Sequence, residues 1–175
     1  MFELQGERLV LRPMRPDEAD VLRELWVERD DPRLPAHRRL DEQGHPTVAE
    51  LAESIATAAV WSAGRDGLGF LAVERRVEGD VIGYCGLVDS GRAGEGEPEI
   101  AFELLRRVHG NGYATEAALV VVEHARSTGH QRLWATVWDW NTASRRVLAK
   151  LGFTETGRTE VVPGRGTTLW TVCDL

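Results

Sequence analysis

Cysteine, metal-ligand spacing and long apolar runs are what this 175-residue chain has little of. The two cysteines, Cys85 and Cys173, stand in strand-like contexts and read as buried free thiols rather than as a disulfide pair. Five histidines show no ligand spacing with each other or with cysteine, so no metal is expected. The longest unbroken apolar run in the middle of the chain, Ala117 to Val122, is far too short to span a bilayer, and Met1 to Arg12 lacks the apolar core of a secretory signal. The expected residence is therefore the cytoplasm. No Gly-Lys-Ser/Thr run exists to form a nucleotide P-loop. A net charge of −7 argues against nonspecific binding to nucleic acid or membrane. It fits a cationic substrate, or simply a solvated acidic surface.

What remains is an ordinary globular composition, 42% hydrophobic and 28% charged, of a length suited to one domain spanning residues 1–175. Leu9-Val10-Leu11 reads as a first strand closed by Pro13, and Asp17 to about Arg29 as a helix with Val21, Leu22, Leu25 and Trp26 on one face. Residues 30–46 carry three prolines and mixed charge without periodicity, which predicts a long loop. Thr47-x-x-Glu50 is a capping box opening a helix with Val48, Leu51, Ala52, Ile55 and Ala59 on its apolar stripe. Strands follow over Phe70–Arg75 and Val81–Val88, joined by Glu78-Gly79-Asp80.

Glu99 to Leu104 alternates most sharply: Ile100, Phe102 and Leu104 point one way, Glu99, Ala101 and Glu103 the other. A helix from Ala114 to about Ser127, a strand over Arg132–Trp138 and a helix after Asn141 come next. That last helix turns Ala143, Val147, Leu148 and Leu151 to the core and stops at Gly152. The tail splits at Pro163-Gly164 into a closing hairpin. The order β-α-α-β-β-β-α-β-α-β-β predicts a mixed α/β sheet with helices on both sides.

Between the alternating strand and its helix lies Arg107-Val108-His109-Gly110-Asn111-Gly112-Tyr113-Ala114. Two glycines one residue apart permit a tight turn and close approach of backbone to a ligand, and the helix start offers unpaired N–H groups to an anion. That is the chemistry of a diphosphate cradle. Thr115 stands where a dinucleotide fingerprint needs glycine.

Around this bend the residues form a larger pattern. Arg107-x-x-Gly110-x-Gly112-Tyr113-Ala114-Thr115-Glu116-Ala117 resembles the acetyl-CoA-binding motif of the GNAT superfamily of N-acyltransferases. Trp140-Asn141-x-x-Ser144-x-x-Val147-Leu148-x-Lys150-Leu151-Gly152-Phe153 is similar to that superfamily's second motif. Gly6-Glu7-Arg8-Leu9-x-Leu11-Arg12-Pro13 resembles the opening of its RimJ/RimL branch, which acetylates N-terminal amines of ribosomal proteins. The resemblance implies a GNAT-like fold, a mostly antiparallel mixed sheet splayed at the cofactor cleft. It implies acetyl-CoA as co-substrate, its pyrophosphate on the N–H groups from Val108 to Ala114, with His109, Asn111 and Thr115 alongside. The pantetheine arm would lie beside Phe102, Leu104 and Leu105. Arg107 is either a phosphate contact or a surface arginine, and Asn141 either a pantetheine contact or a helix cap.

Acyl transfer to an amine needs a neutral amine, a polarised carbonyl and help for the departing thiolate. A peptide α-amine, with a pKa of about 8, is neutral about a tenth of the time near pH 7, and a lysine amine far less often. The resemblance places a general base at Glu99, with Glu103 second; both also read as plain strand residues. Many members carry a tyrosine seven residues after the asparagine, where this chain has Leu148. Ser144 resembles the serine of the RimJ/RimL branch, able to hydrogen-bond the thiolate or to sit in the first helical turn. An N-acetyltransferase acting on a protein N-terminal or small-molecule amine is expected, with a non-catalytic acyl-CoA sensor as the alternative. A homodimer is left open. Trp134, Trp138 and Trp140 read mainly as packing, with one of them free to wall an acceptor cleft.

Overall fold

The computed structural model describes residues 2–29, 45–62, 69–94 and 96–175. Most of the predicted loop over residues 30–46, expected to hold the amine acceptor with Asp30, Asp31, Asp41 and Glu42 able to attract it, lies outside them. The strands are β1 (Leu4–Gln5), β2 (Leu9–Pro13), β3 (Gly69–Arg75), β4 (Val81–Val88), β5 (Glu99–Leu104), β6 (Arg132–Trp138), β7 (Thr154–Val162) and β8 (Gly166–Asp174). The helices are α1 (Ala19–Glu28), α2 (Val48–Ser62), α3 (Tyr113–Ser127) and α4 (Thr142–Lys150), with short 3-10 turns at Pro16–Glu18 and Arg106–Val108. This is the expected order with one addition. β1 is only two residues long, too short to leave an alternating pattern.

The strands form one sheet in the order β1-β2-β3-β4-β5-β6-β8-β7. Every neighbouring pair is antiparallel except β5 and β6. The exception follows from connectivity. Between β5 and β6 the single helix α3 carries the chain back over the sheet and sets β6 down parallel to β5.

Alternation divides the core in two. Leu9, Leu11, Val73, Ile82, Ile100, Leu133, Ala135 and Val137 face α3 and α4, where Ala117, Val121 and Leu148 meet them. On the other face Ala72 and Val81 pack against Leu51 and Ile55 of α2 and Ala19 of α1. The capping box forms as read, Thr47 N donating to Glu50 Oε2 at 2.9 Å and Glu50 N to Thr47 Oγ1 at 3.3 Å. Two residues placed on apolar stripes are corrected: Val48 and Ala143 are exposed. Each sits in the first turn of its helix, beyond the reach of the facing sheet.

Arg12 is buried beside Leu11, on the α1 and α2 face. Its guanidinium meets Glu18 and Glu74, each at 2.5 Å. Removing one partner of such a buried ion pair typically costs about 3–5 kcal/mol, so this cluster fixes the entry into α1 firmly. Among the described residues no helix is long and apolar enough to cross a membrane.

Candidate active site

The bend after β5 is built so that its own donors stay free. Gly110 and Gly112 have φ of +80° and +81°, a region that side-chain-bearing residues adopt only under strain. A Cβ on Gly110 would meet nothing within 4 Å, and one on Gly112 only Arg8 Nη2 at 3.6 Å. Conformation, not crowding, therefore demands glycine, and the outer surface of the turn is left open. Gly112 occupies the N-cap of α3 with no side chain capping the helix. Val108 N and His109 N, expected in the cradle, are instead taken by the Leu105 and Arg106 carbonyls in the 3-10 turn, each at 3.1 Å. Among the described residues the N–H groups of Gly110 to Thr115 find no acceptor; the first bond of the helix is Glu116 N to the Gly112 carbonyl, at 3.1 Å.

The bend is braced from behind. Arg8 of the β1–β2 turn donates Nε to Glu116 at 2.8 Å and Nη1 to the Asn111 carbonyl at 3.0 Å, and its guanidinium lies over the Tyr113 ring. Asn111 Nδ2 donates to the Val108 carbonyl at 3.1 Å. On the other flank Glu28 of α1 accepts from Arg106 N at 2.9 Å, and Glu24 pairs with Arg107 at 2.6 Å. Arg107, read as a phosphate contact or a surface residue, is exposed and tied to α1. The glycine turn thus hangs between β2 and α1.

Beside the bend the sheet comes apart. β4 and β5 share six registered pairs, whereas β5 and β6 share one, Glu99 with Trp134. Leu105 N donates to the Ile82 carbonyl at 2.9 Å. In antiparallel register this turns the peptide groups of Glu103 and Ala101 toward β4, so those of Ile100, Phe102 and Leu104 face the gap. There the Leu104 carbonyl accepts from His109 Nε2 at 2.8 Å. Leu104 and Leu105 keep their side chains in the core, and Phe102 packs against it. At the start of α4 the Asn141 side chain accepts from Ser144 N at 3.1 Å. Asn141 is thus a helix cap, and Ser144 occupies the third position of the helix, not its cap.

The two candidate carboxylates share a face of β5 and differ in company. Glu99 is only 8% exposed. It accepts from Ser90 Oγ and, at 3.3 Å, from Thr136 Oγ1, and no cation pairs with it among the described residues. Glu103 is ion-paired to Arg29 at the end of α1, and Tyr84 donates its hydroxyl to the same carboxylate at 3.1 Å. Burial works against the Arg29 charge, but the hydrogen bonds and charge of Glu103 outweigh it and raise the Arg29 pKa. Burial, with Glu103 adding to it, pushes the Tyr84 phenol up as well. The lone pairs of Glu103 are therefore spent on joining α1 to the sheet. Neither carboxylate is a solvated strand residue.

Residues 8–154 match the protein family described as Acetyltransferase (GNAT) domain. The chain belongs to the GNAT family. It is 29% identical over 160 residues to the uncharacterized N-acetyltransferase p20 of Bacillus licheniformis, covering 90% of this chain and 85% of that one. Two solved structures are similar in fold throughout. An acetyltransferase of this family from Bordetella pertussis superposes with a TM-score of 0.76 at 24% identity, covering 98% of this chain and 99% of the other. RimJ of Mycobacterium smegmatis, solved with CoA-disulfide, gives 0.77 at 21% identity, covering 99% and 86%. The open eight-stranded mixed sheet with four helices is the GNAT fold.

Beyond Glu99 the GNAT sheet carries an open cleft of about 680 Å³ on the face turned away from α3 and α4. Thr136 and Trp138 of β6, Arg158 and Glu160 of β7, Arg165 of the β7–β8 turn and Arg92 of the β4–β5 loop contribute to its lining. Trp138 is thus a wall, and Trp140 stacks on it with ring centroids 6.1 Å apart. Trp134 donates to Glu97 at 2.6 Å and packs edge-on against Trp170. Sequence reading missed Arg8, Ser90, Thr136 and the three arginines as site residues. Only Arg8 carried a signal, its place in the opening motif. Both cysteines are buried, and burial pushes both thiols up, so neither offers a thiolate for covalent transfer. Among the described residues no group of three His, Cys, Asp or Glu could hold a metal ion.

Proposed function

We propose that this GNAT protein, one domain over residues 1–175, is a cytoplasmic acetyl-CoA-dependent N-acetyltransferase acting on a primary amine by direct attack within a ternary complex. The observation that carries the reading is the gap itself. β5 and β6 keep a single registered pair, the peptide groups of Phe102 face the opening, and the free N–H groups of Gly110 to Thr115 lie beside it. An amide-bearing arm satisfies the first set as an added strand would, and a diphosphate the second. Among the described residues no side-chain carboxylate competes for the bend, because Glu116, the acid of the first turn, is held by Arg8.

Bound there, acetyl-CoA supplies an activated thioester. Overall an ammonium group and acetyl-CoA give an N-acetyl amide, free coenzyme A and one proton. Glu99 accepts the ammonium proton, directly or through a water, and frees the nitrogen lone pair. The C–N bond forms as the C–S bond breaks. Ser144 Oγ, which makes no hydrogen bond within the described residues, is available to donate to the leaving sulfur. The likeness to RimJ and the opening motif that resembles the RimJ/RimL branch favour a protein N-terminal amine, with small-molecule amines as the other class.

Release of coenzyme A from acetyl-CoA over N-terminal peptides, polyamines and aminoglycosides tests the proposal. Glu99→Gln should lower kcat on the accepted amine about 100-fold while leaving the coenzyme A Kd within about twofold. An unchanged rate at neutral pH removes Glu99 as base. One observation favours a non-catalytic acyl-CoA sensor: Leu148, where many relatives carry tyrosine, is only 3% exposed and belongs to the core. Tight acetyl-CoA binding without turnover on any amine would decide for the sensor.

A further inference from the structure

The cleft beside Glu99 holds more cationic donors than the described residues satisfy. Three of its lining side chains, Arg92, Arg158 and Arg165, are guanidinium groups, and Glu160 is the one carboxylate among them. Glu160 is already engaged, accepting from Arg92 Nη2 at 3.0 Å. Arg158 has its guanidinium 3.6 Å from the centre of the Trp170 ring, and Arg92 lies over the same ring at 4.8 Å. Arg165 is the sharpest case. Its Nε and Nη2 are shielded from solvent and have no hydrogen-bond partner among the described residues, as is true of Trp170 Nε1. Shielded guanidinium nitrogens without an acceptor are costly to keep, whereas a guanidinium that meets a carboxylate makes two charge-assisted bonds.

The surroundings hold Arg165 in place. Its carbonyl accepts from Trp140 Nε1 at 2.9 Å and its N–H donates to Val162 at 3.0 Å. A Cβ on the next residue, Gly166, would come within 2.9 Å of Asp139 Oδ1 and 3.0 Å of Trp140 Cδ1, so the turn is pressed against β6's end. The cleft is also joined to Glu99. Thr136 lines the cleft and donates to Glu99, while Ser90 donates to Glu99 and accepts from Arg92 N at 3.2 Å. A proton acceptor and a set of anion receptors therefore share one wall. The net charge of −7 does not extend into this cleft.

We infer that the acceptor is an amine that carries a carboxylate on the same small fragment, its amine at Glu99 and its carboxylate held by Arg165 with Arg158. This rests on the acetyl-transfer reading and narrows its substrate class. Two sources share the chemistry: a free α-amino acid, and a peptide N-terminus with an acidic residue just behind it.

Matched pairs separate them. Phenylalanine is compared with phenylalaninamide, and Ser-Asp-Ala amide with Ser-Asn-Ala amide, by coenzyme A release. In at least one pair the carboxylate-bearing member should show a kcat/KM about tenfold or more above its partner, expressed mainly in KM. Preference in the first pair identifies a free amino acid, and preference confined to the second a peptide end. Arg165→Gln should shrink that ratio to about threefold or less, with coenzyme A affinity still measurable as proof of folding. Equal rates within both pairs, or a ratio that survives Arg165→Gln, overturn the inference while leaving acetyl transfer intact. If no arm turns over, calorimetric titration of the same four probes into coenzyme A-loaded protein decides. Tighter uptake of a carboxylate-bearing member supports the anion site and counts only against acetyl transfer. Equal uptake, or none, overturns the anion site.

Discussion

The bend after β5 and the cleft beside Glu99 lie in one sheet and are built from opposite materials. At the bend the donors are main-chain amides of six consecutive residues, set by two glycines with φ near +80° and left free because no side chain caps α3. At the cleft the donors are long side chains from β7, the β7–β8 turn and the β4–β5 loop; Arg92 and Arg158 lie over the Trp170 ring, and Arg165 keeps two nitrogens shielded and without an acceptor among the described residues. Main-chain recognition suits a ligand that every relative shares, because it depends on conformation and little on side-chain identity. Side-chain recognition suits the partner that differs from one relative to the next, since loop and edge residues change without disturbing the sheet.

Three substitutions probe that contrast. Gly112→Val has the largest expected effect. Its φ of +81° is strained for a β-branched residue, and the added side chain crowds the Arg8 guanidinium that braces the turn. Coenzyme A affinity measured by calorimetry should fall more than about 100-fold, with the circular dichroism of the sheet retained. Binding within about threefold of the parent would mean that the cradle lies elsewhere. Arg8→Met comes next. It keeps the length that covers Tyr113 but loses the bonds to Glu116 and the Asn111 carbonyl. Because this pair is half exposed, stability should change by no more than about 1 kcal/mol, while the coenzyme A Kd rises about three- to tenfold as the turn loosens. An unchanged Kd would show that the bend needs no brace. Smallest is Ser144→Ala, expected to lower kcat about three- to tenfold with KM for the amine unmoved. A full rate in single-turnover measurements would assign the leaving thiolate to solvent.

Much of this architecture is written in local pattern. The alternation of Glu99 to Leu104 predicted both the strand and its two faces, and Ile100 and Leu104 are buried as it requires. The capping box of Thr47 and Glu50, the strand over Arg132–Trp138 and the hairpin broken at Pro163-Gly164 were equally legible, because each depends on residues adjacent in sequence. Exposed Val48 and Ala143 show the limit of a stripe, which names a helix face but not how far the neighbouring sheet extends beneath it. Glu103 shows another. Its periodicity matches that of Glu99, yet Arg29, far away in the chain, engages one carboxylate and leaves the other to two hydroxyls.

Glycine spacing, a capping pair and the period of apolar residues are short-range properties, so local pattern was enough to specify every element but β1 and the free N–H groups at the start of α3, and the family came from the resemblance of its motifs. Which arginines line the cleft joined to Glu99, and which carboxylate keeps its lone pairs, depends on segments tens of residues apart meeting across β4, β5, β6, β7 and β8. Such meetings are set by sheet order and by the single parallel step that parts β5 from β6, and no local period encodes them.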